Sequence, residues 1–227
     1  KGRWLEQLRR KMSRVAKLAE SGIPCGPKPA EGFFVHFIGH NQVQVSFRAF
    51  SQGQQRMKMD PQAPSRSYLK LEEAFHIFGS EPQAGETVVD LGAAPGGWTY
   101  SALKRGALVT AVDNGPLKEP VLSHSGVLHL RTDALKYQPE SGGCVDWLLC
   151  DVLEQPDFIL NLLKRWLGEQ RCRRFVVNLK IGRTDPIPVL RDILDNRRGI
   201  AQHCSILKVR QLYHDREEIT LMGDARV

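Results

Sequence analysis

Acidic side chains recur where apolar, strand-like runs of the sequence end. Asp90 and Asp113 close the first two of these runs, and Asp133 and Asp151 follow the next two. A carboxylate in such a place can accept hydrogen bonds from both hydroxyls of a ribose. A single aspartate after a strand is usually only a turn or cap residue. Four of them at successive strand ends instead favour a ligand-binding edge.

Two lysines and a glutamate could add proton-transfer chemistry. Lys180 ends the apolar run 175–180, where an ammonium group is costly unless it is paired. Lys70 lies on a helical run before the first strand, and Glu218, or else the adjacent Glu217, opens the last strand. Taken singly, each of these residues is more often a surface charge. Desolvation or a neighbouring cation would lower a lysine pKa from about 10.4 toward a value useful for a base, but the sequence does not fix the net direction.

A glycine-rich turn separates the first strand from the helix that follows it. The run from Asp90 to Trp98 reads Asp-Leu-Gly-Ala-Ala-Pro-Gly-Gly-Trp. Glycines let the backbone come close to a ligand, and Pro95 suits a turn or a first helical position. The dinucleotide fingerprint needs a glycine where Ala94 stands, and the P-loop needs Gly-Lys-Ser/Thr, whereas Gly97 precedes tryptophan. Neither phosphate-binding pattern fits this turn.

The elements that must position these residues follow from alternating apolar and helical runs. Strands are predicted at 87–91, 108–113, 127–131, 146–150, 175–180, 205–209 and 218–222, and helices at 65–78, from 97 onward, and at 117–123, 156–167 and 187–196. This alternation predicts a Rossmann-like α/β sheet that is mostly parallel. Only residues 210–217 separate the last two strands, which favours a last strand that is antiparallel. Ligands of such sheets bind beyond the carboxyl ends of the strands.

The first 62 residues predict a small α+β appendage with a linker, and residues 63–227 predict the main domain. Apolar residues at helical spacing indicate a helix over 3–20, whose other face carries the cations of 9–17. A proline- and glycine-rich loop follows at 21–29, and runs 33–38 and 43–47 around a turn at 39–42 predict a hairpin. The basic face could contact RNA or simply be solvated.

The turn from Asp90 to Trp98 resembles the D-x-G-x-x-P-G-G-[WF] motif of S-adenosylmethionine (SAM) methyltransferases of the FtsJ type. The resemblance implies a sheet with a last antiparallel strand and SAM as the cofactor. It also implies that the cofactor is bound by Ser67, Asp90, Gly92, Ala94, Pro95, Gly96, Gly97, Trp98, Asp113, Asp133 and Asp151.

The four residues Lys70, Asp151, Lys180 and Glu218 reproduce, in order, the K-D-K-E tetrad of FtsJ-type ribose 2′-O-methyltransferases. In that reaction a base takes the proton of a hydroxyl, which displaces the methyl group from a sulfonium, so no metal site is expected. Asp151 is not followed by the Pro-Pro-Tyr/Phe of exocyclic-amine methyltransferases. Cys150 lies inside an apolar strand and is interpreted as a small buried hydrophobe rather than the nucleophile of base-carbon methyltransferases.

Three longer stretches, 65–75, 112–116 and 211–218, resemble the RlmM family of ribosomal RNA methyltransferases. This resemblance covers about residues 33–223 and implies 2′-O-methylation of a cytidine of 23S rRNA or its precursor. In that family a THUMP-related RNA-binding region precedes the catalytic domain, and residues 1–62 match only its last part. The alternatives are another RNA, such as a tRNA or a cap, and a non-catalytic RNA-binding relative. The basic charge disfavours a small-molecule substrate.

Composition agrees with a protein that meets a polyanion. The 227 residues carry a formal net charge of +7, which favours RNA as a partner. No apolar run approaches the roughly 20 residues of a membrane span, so no membrane partner is expected. The five cysteines are scattered and include no C-x-x-C pair, which favours a reducing cytoplasm. The oligomeric state stays open, with a monomer favoured.

Overall fold

A computed structural model describes residues 2–19, 30–39, 42–50, 53–139 and 143–226 of the chain. The chain divides into two compact units, residues 1–56 and residues 57–227. The predicted loop at 21–29, with Cys25, lies outside the described residues, and so do His40 and Asn41 of the predicted hairpin turn.

The first unit contains two short helices and a hairpin. Helices α1 (Gly2–Lys11) and α2 (Ser13–Lys17) replace the single helix predicted over 3–20, because Met12 leaves the helical region with φ −139° and ψ 60°. The cations Arg9, Arg10 and Lys11 then occupy the last turn of α1, where the helix dipole favours positive charge. Strands β1 (Ala30–Phe37) and β2 (Val43–Ala49) pair antiparallel, which confirms the predicted hairpin.

The second unit is a seven-stranded sheet between helices. Its strands are β3 (Thr87–Leu91), β4 (Leu108–Val112), β5 (Val127–Leu130), β6 (Val145–Cys150), β7 (Cys172–Lys180), β8 (Cys204–Arg210) and β9 (Glu218–Ala225). Its helices are α3 (Tyr68–Phe78), α4 (Gly97–Leu103), α5 (Pro156–Gly168) and α6 (Pro186–Leu194), with a 3-10 turn at Ile200–His203. The strand order is β5-β4-β3-β6-β7-β9-β8. Of these seven strands, β9 alone runs in the direction opposite to the other six. The predicted Rossmann-like sheet with an antiparallel last strand is thus confirmed.

The short helix predicted at residues 117–123 is wrong, because the structure forms successive turns there. Pro120 falls in the middle of this segment and has no N–H group to donate to the carbonyl four residues earlier. Val121 and Leu122 both donate to the carbonyl of Lys118 instead. Two apolar residues of the segment, Leu117 and Val121, are still buried, while Leu122 is 53% exposed.

Two apolar clusters cover the two faces of the sheet. Val89 and Leu91 of β3 belong to the cluster that contains Trp166 of α5. Val88, on the opposite face, belongs to the cluster with Trp147, whose ring meets Phe75 of α3 edge-on at 5.4 Å between centroids. The strands read as nearly continuous apolar runs because both of their faces are buried. This double burial holds the strand ends, and the residues on them, in fixed positions.

Residues 57–62, which the sequence predicts as part of a linker, belong to the second unit and contact its helices. The Asp60 carboxylate accepts hydrogen bonds from the Tyr100 hydroxyl at 2.9 Å and from Lys104 Nζ at 2.8 Å. The hydrogen bond from Lys104, together with those from Gln62 and Tyr100, lowers the pKa of Asp60 to about 2. These contacts attach the segment before α3 to α4.

The chain reverses its direction of strand addition at β3. It proceeds from β3 to β4 and β5 on one side and then returns to add β6 on the other side. Such a reversal opens a crevice at the carboxyl ends of the two central strands. Residues 92–97 follow β3 and Asp151 follows β6, so both lie at this crevice. None of the described helices has the length and apolarity that a membrane crossing requires.

Candidate active site

Four charged side chains from four elements form one ion-paired ring. Lys70 lies in the first turn of α3, Asp151 follows β6, Lys180 ends β7 and Glu218 begins β9. The antiparallel register of β7 and β9 places Lys180 directly opposite Glu218. Glu217 is exposed, and its carbonyl accepts hydrogen bonds from the backbone of residues 181 and 182. The structure therefore brings Glu218, and not Glu217, to the other three residues.

The ring alternates ammonium and carboxylate groups. Lys70 Nζ lies 2.6 Å from Glu218 Oε2 and 3.6 Å from Asp151 Oδ1. Lys180 Nζ lies 3.0 Å from Glu218 Oε1 and also donates to Asp151 Oδ1. Each of the four side chains retains only 13–16% of its accessible surface. Two positive and two negative charges therefore balance within a largely desolvated site.

The ring sets the protonation of its members. Burial acts to lower the pKa of Lys180, but the charges and hydrogen bonds of Asp151 and Glu218 outweigh it and raise that pKa above its ordinary value. Burial likewise acts to raise the pKa of Glu218, and hydrogen bonds from Lys70 and Lys180 hold it below its ordinary value. The ring therefore favours the ammonium form of Lys180.

A second layer of polar groups, which the sequence interpretation missed, holds Lys180 in place. Asn178 Oδ1 accepts from Lys180 Nζ at 3.1 Å, while Asn178 Nδ2 donates to Thr220 at 3.1 Å and to Asp215 at 3.0 Å. Thr220 in turn donates to Asp215 at 3.0 Å. Burial raises the pKa of Asp215. The sequence does contain a sign of this support, because Asn178 is a polar residue in an apolar strand and lies two positions before Lys180. Residues i and i+2 of a strand share one face.

The glycine-rich turn is packed too tightly for side chains. Gly92 has φ +77°, and a Cβ there would lie 2.8 Å from Val152 Cγ2. A Cβ on Gly97 would collide with the hydroxyl oxygens of Ser65 and Ser67, which are hydrogen-bonded to each other at 2.7 Å. Trp98 Nε1 donates to the carbonyl of Ser67 at 3.0 Å, so the start of α4 is fixed to the start of α3.

A cavity of about 180 Å³ opens beside this turn. It is lined by residues 92–95, by Trp98, by the hydroxyl-bearing Ser65 and Ser67, and by Asp151 of the ion-paired ring. Backbone groups, hydroxyls and a carboxylate suit a ligand that carries both a carboxylate and a cation, as the methionine part of SAM does. The donor set of this cavity therefore fits the cofactor that the turn predicts.

The acids at the strand ends have different environments. Asp113 accepts from the backbone N–H of Ala94 at 3.0 Å and of Gly115 at 2.7 Å, so it fixes the turn and keeps further lone pairs for a diol. Asp133 accepts from the N–H of Leu135 at 2.9 Å, as the cap of a turn after β5. Neither Asp113 nor Asp133 is among the residues that line the cavity.

Asp90 is fully buried on the face of β3 that meets α4. Its Oδ2 accepts from the Thr99 hydroxyl at 2.6 Å, and among the described residues its Oδ1 has no hydrogen-bond partner. Burial, together with the nearby charges of Asp151 and Asp113, raises its pKa to about 7 despite the hydrogen bond from Thr99. Through the hydrogen bond with Thr99, this aspartate stabilises the helix that follows the turn. It is not in the cavity lining.

Cys150 does not have the surroundings of a reactive thiol. Cys150 is completely buried in β6, and burial raises the pKa of its thiol to about 12, so it is not a nucleophile. Within the part of the chain that the structure describes, no three His, Cys, Asp or Glu side chains form a group that could hold a metal ion.

Comparison with known proteins bears on the same unit. Residues 63–164 match the family described as FtsJ-like methyltransferase. The chain is 47% identical over 171 residues to a ribosomal RNA large subunit methyltransferase M of Halorhodospira halophila, which covers 73% of this chain and 48% of that protein. It is 39% identical over 228 positions to the protein of the same name from Pseudomonas putida, which covers 94% of this chain and 62% of that protein. The chain thus spans about half to three fifths of the length of these relatives.

A solved structure confirms the fold alone. The fibrillarin/Nop5p complex contains a chain that is 22% identical, with a TM-score of 0.52 and coverage of 68% of this chain and 80% of that one. The similarity extends over a Rossmann-like sheet of the same kind. At this level of identity it does not bear on the reaction.

Proposed function

The chain belongs to the FtsJ-like methyltransferase family, and from that premise we propose that it transfers the methyl group of SAM to a ribose 2′-hydroxyl of RNA. The proposed acceptor is a cytidine of 23S rRNA or its precursor. The names of the relatives support ribosomal RNA as the substrate class. A ribosomal RNA substrate would place the protein in the cytoplasm. We also propose that residues 1–62 are part of a THUMP-related RNA-binding appendage.

The observation that carries this proposal is the ring of Lys70, Asp151, Lys180 and Glu218 at the edge of the cavity beside the glycine-rich turn. Asp151 belongs to both, since it lines the cavity and pairs with Lys180. A group that accepts a proton therefore lies next to the place proposed for the methyl donor. The residues of the turn and Asp113 would hold SAM, which supplies an electrophilic methyl group on a cationic sulfur.

Lys180 is the residue we propose as the base. A hydroxyl is a poor nucleophile until its proton leaves, and removal of a general base typically costs about 10²–10⁴ in rate. Because Asp151 and Glu218 raise the pKa of Lys180, this amine must first lose its own proton. A positive charge bound beside Asp151 would favour that loss, since it competes with the ammonium for the same carboxylate. Asn178 and Glu218 keep the amine in position throughout.

Methyl transfer from SAM to large-subunit ribosomal RNA, followed by nucleoside mass spectrometry, tests the proposal. The wild-type chain should produce 2′-O-methylcytidine. Lys180→Ala should bind SAM normally in calorimetry and lose most of the transfer. Lys180→Arg should not restore it, because a guanidinium stays protonated. Lys164→Ala is the matched control, because this lysine of α5 pairs with Asp192 of α6 and is not part of the ion-paired ring.

Absence of any 2′-O-methylated nucleoside, with SAM bound, would contradict the proposed reaction. Full activity of Lys180→Arg would show that the site needs only a fixed positive charge. The base would then have to be Lys70, Asp151 or solvent.

A further inference from the structure

A second cavity, of about 460 Å³, has Lys180 in its wall. Lys180 contributes to its wall, while Asp151, the ion-pair partner of Lys180, lines the cavity beside the glycine-rich turn. The ion pair of Asp151 and Lys180 therefore joins the walls of the two cavities. If the first cavity holds the methyl donor, a hydroxyl bound in the second would be near Lys180. Its volume lies in the range of about 300–1,000 Å³ that is typical of small-ligand pockets.

The wall of this cavity combines apolar and polar groups. Leu153, which follows Asp151 by two residues, is 85% exposed at the opening. A flat aromatic ring laid on this side chain would cover it. Gln155 and Thr184 add hydrogen-bonding groups. An aromatic ring with polar edges is the chemistry of a nucleobase.

Among the described residues that line this cavity, Glu154 has the only carboxylate. Its Oε1 accepts from the backbone N–H of Gln155 at 2.7 Å, which fixes the orientation of the side chain. Within the described residues, the structure shows no partner for its Oε2. An ionised carboxylate accepts hydrogen bonds and cannot donate them. It matches the exocyclic amine of cytosine and opposes the carbonyl that uracil carries at the same position.

Arg183 supplies a positive charge to the same cavity. It lies in the loop after β7, is exposed, and forms no ion pair with another described residue. A guanidinium suits phosphate because its donors match two phosphate oxygens. A carboxylate, an exposed leucine and an arginine therefore line one space together with Lys180.

We propose that this second cavity is the acceptor-nucleotide subsite, in which Glu154 selects a base with an exocyclic amine and Arg183 holds the phosphate of the same nucleotide. The inference rests on the proposed function, because it names the part of the RNA that this site takes. It makes Glu154 a specificity-determining residue rather than a catalytic one. Cytidine is then accepted and uridine is rejected, since uridine would leave a carboxylate facing a carbonyl oxygen.

The first test uses RNA transcripts that carry cytidine or uridine at the methylated position, as mapped with the wild-type chain. Wild type should methylate the cytidine transcript faster, and Glu154→Gln should reduce that preference about tenfold or more, because an amide can also donate to uracil. Glu169→Gln, at the far end of α5, is the matched control. An unchanged preference in Glu154→Gln would overturn the role of Glu154.

The second test separates phosphate binding from chemistry. Arg183→Ala should raise the KM for RNA about tenfold while kcat and SAM affinity stay near wild type. The slope of the log of the RNA-binding constant against the log of the salt concentration should also become smaller by about one. Arg173→Ala, at the opposite end of β7, is the control, since its pairing with Asp146 is exposed. An unchanged KM in Arg183→Ala would overturn the phosphate contact.

A binding experiment without turnover distinguishes failure of this subsite from failure of the proposed function. Cytidine 5′-monophosphate, titrated into the ¹⁵N-labelled chain, should shift the amide signals of Gly182 and Thr184 more than uridine 5′-monophosphate does. Shifts confined to residues 92–95 would overturn the subsite. If the wild-type chain methylates RNA but neither nucleotide affects residues 182–184, only this inference fails. If wild type transfers no methyl group, the proposed function fails with it.

Discussion

The buried Asp90 should make the stability of the second unit depend on pH. Its pKa is about 7 in the folded chain, because burial disfavours its ionised form, and about 3.9 in an unfolded chain. Between these values the folded state binds more protons than the unfolded state, so stability falls as pH rises. From pH 5 to pH 8 the expected loss is about 3 kcal/mol, at roughly 1.4 kcal/mol per pKa unit.

Asp90→Asn removes this titration while it keeps an oxygen that can accept from the Thr99 hydroxyl. Urea denaturation of both proteins at pH 5 and pH 8 measures the difference, because contributions of all other groups cancel between them. The free energy of unfolding of Asp90→Asn, relative to wild type, should rise by about 2–3 kcal/mol from pH 5 to pH 8. A relative free energy that stays constant would refute the argument, since Asp90 would then ionise as easily in the folded state as in the unfolded one.

Three further predictions concern ligands. Asp113→Ala should weaken SAM binding by about 1.5–3 kcal/mol, because it removes charge-assisted hydrogen bonds; unchanged affinity in calorimetry would contradict its assignment. RNA binding should weaken linearly in a log–log plot against salt if the cations of 9–17 and 56–58 contact phosphates, and a flat response would exclude that footprint. Lys180 should react with an acylating reagent at lower pH in the presence of SAM than in the presence of S-adenosylhomocysteine, as measured by mass spectrometry; equal reactivity would contradict activation by the cationic sulfur.

Much of the fold could be predicted because the apolar pattern and the turns are local. The run at 87–91 and the glycines after it predict a strand, a turn and a helix without knowledge of any partner, and the structure contains all three. The wrong helix at 117–123 shows the limit of the same reasoning. Leu117 and Val121 are buried as one face of a helix would be, but Pro120 removes the hydrogen bond that a helix needs.

The site was harder to predict because its details depend on register and distance. Only the pairing of β7 with β9 shows that Glu218 faces Lys180 while Glu217 is exposed. The supporting residues Asn178 and Asp215 lie 37 positions apart and meet through the same pairing. The direction of the Lys180 pKa shift is a balance between burial and two carboxylates, and no sequence pattern encodes that balance.

The ring explains why the proposed base needs a ligand to become active. Burial alone would lower the pKa of Lys180, yet Asp151 and Glu218 reverse that effect and favour its ammonium form. Asp151 also lines the cavity proposed for the donor, and Lys180 lines the cavity proposed for the acceptor. A cation in the first cavity would compete with the Lys180 ammonium for the Asp151 carboxylate. A nucleotide in the second cavity would exclude water from the amine. Both changes favour neutral Lys180, which links its activation to occupancy of both cavities.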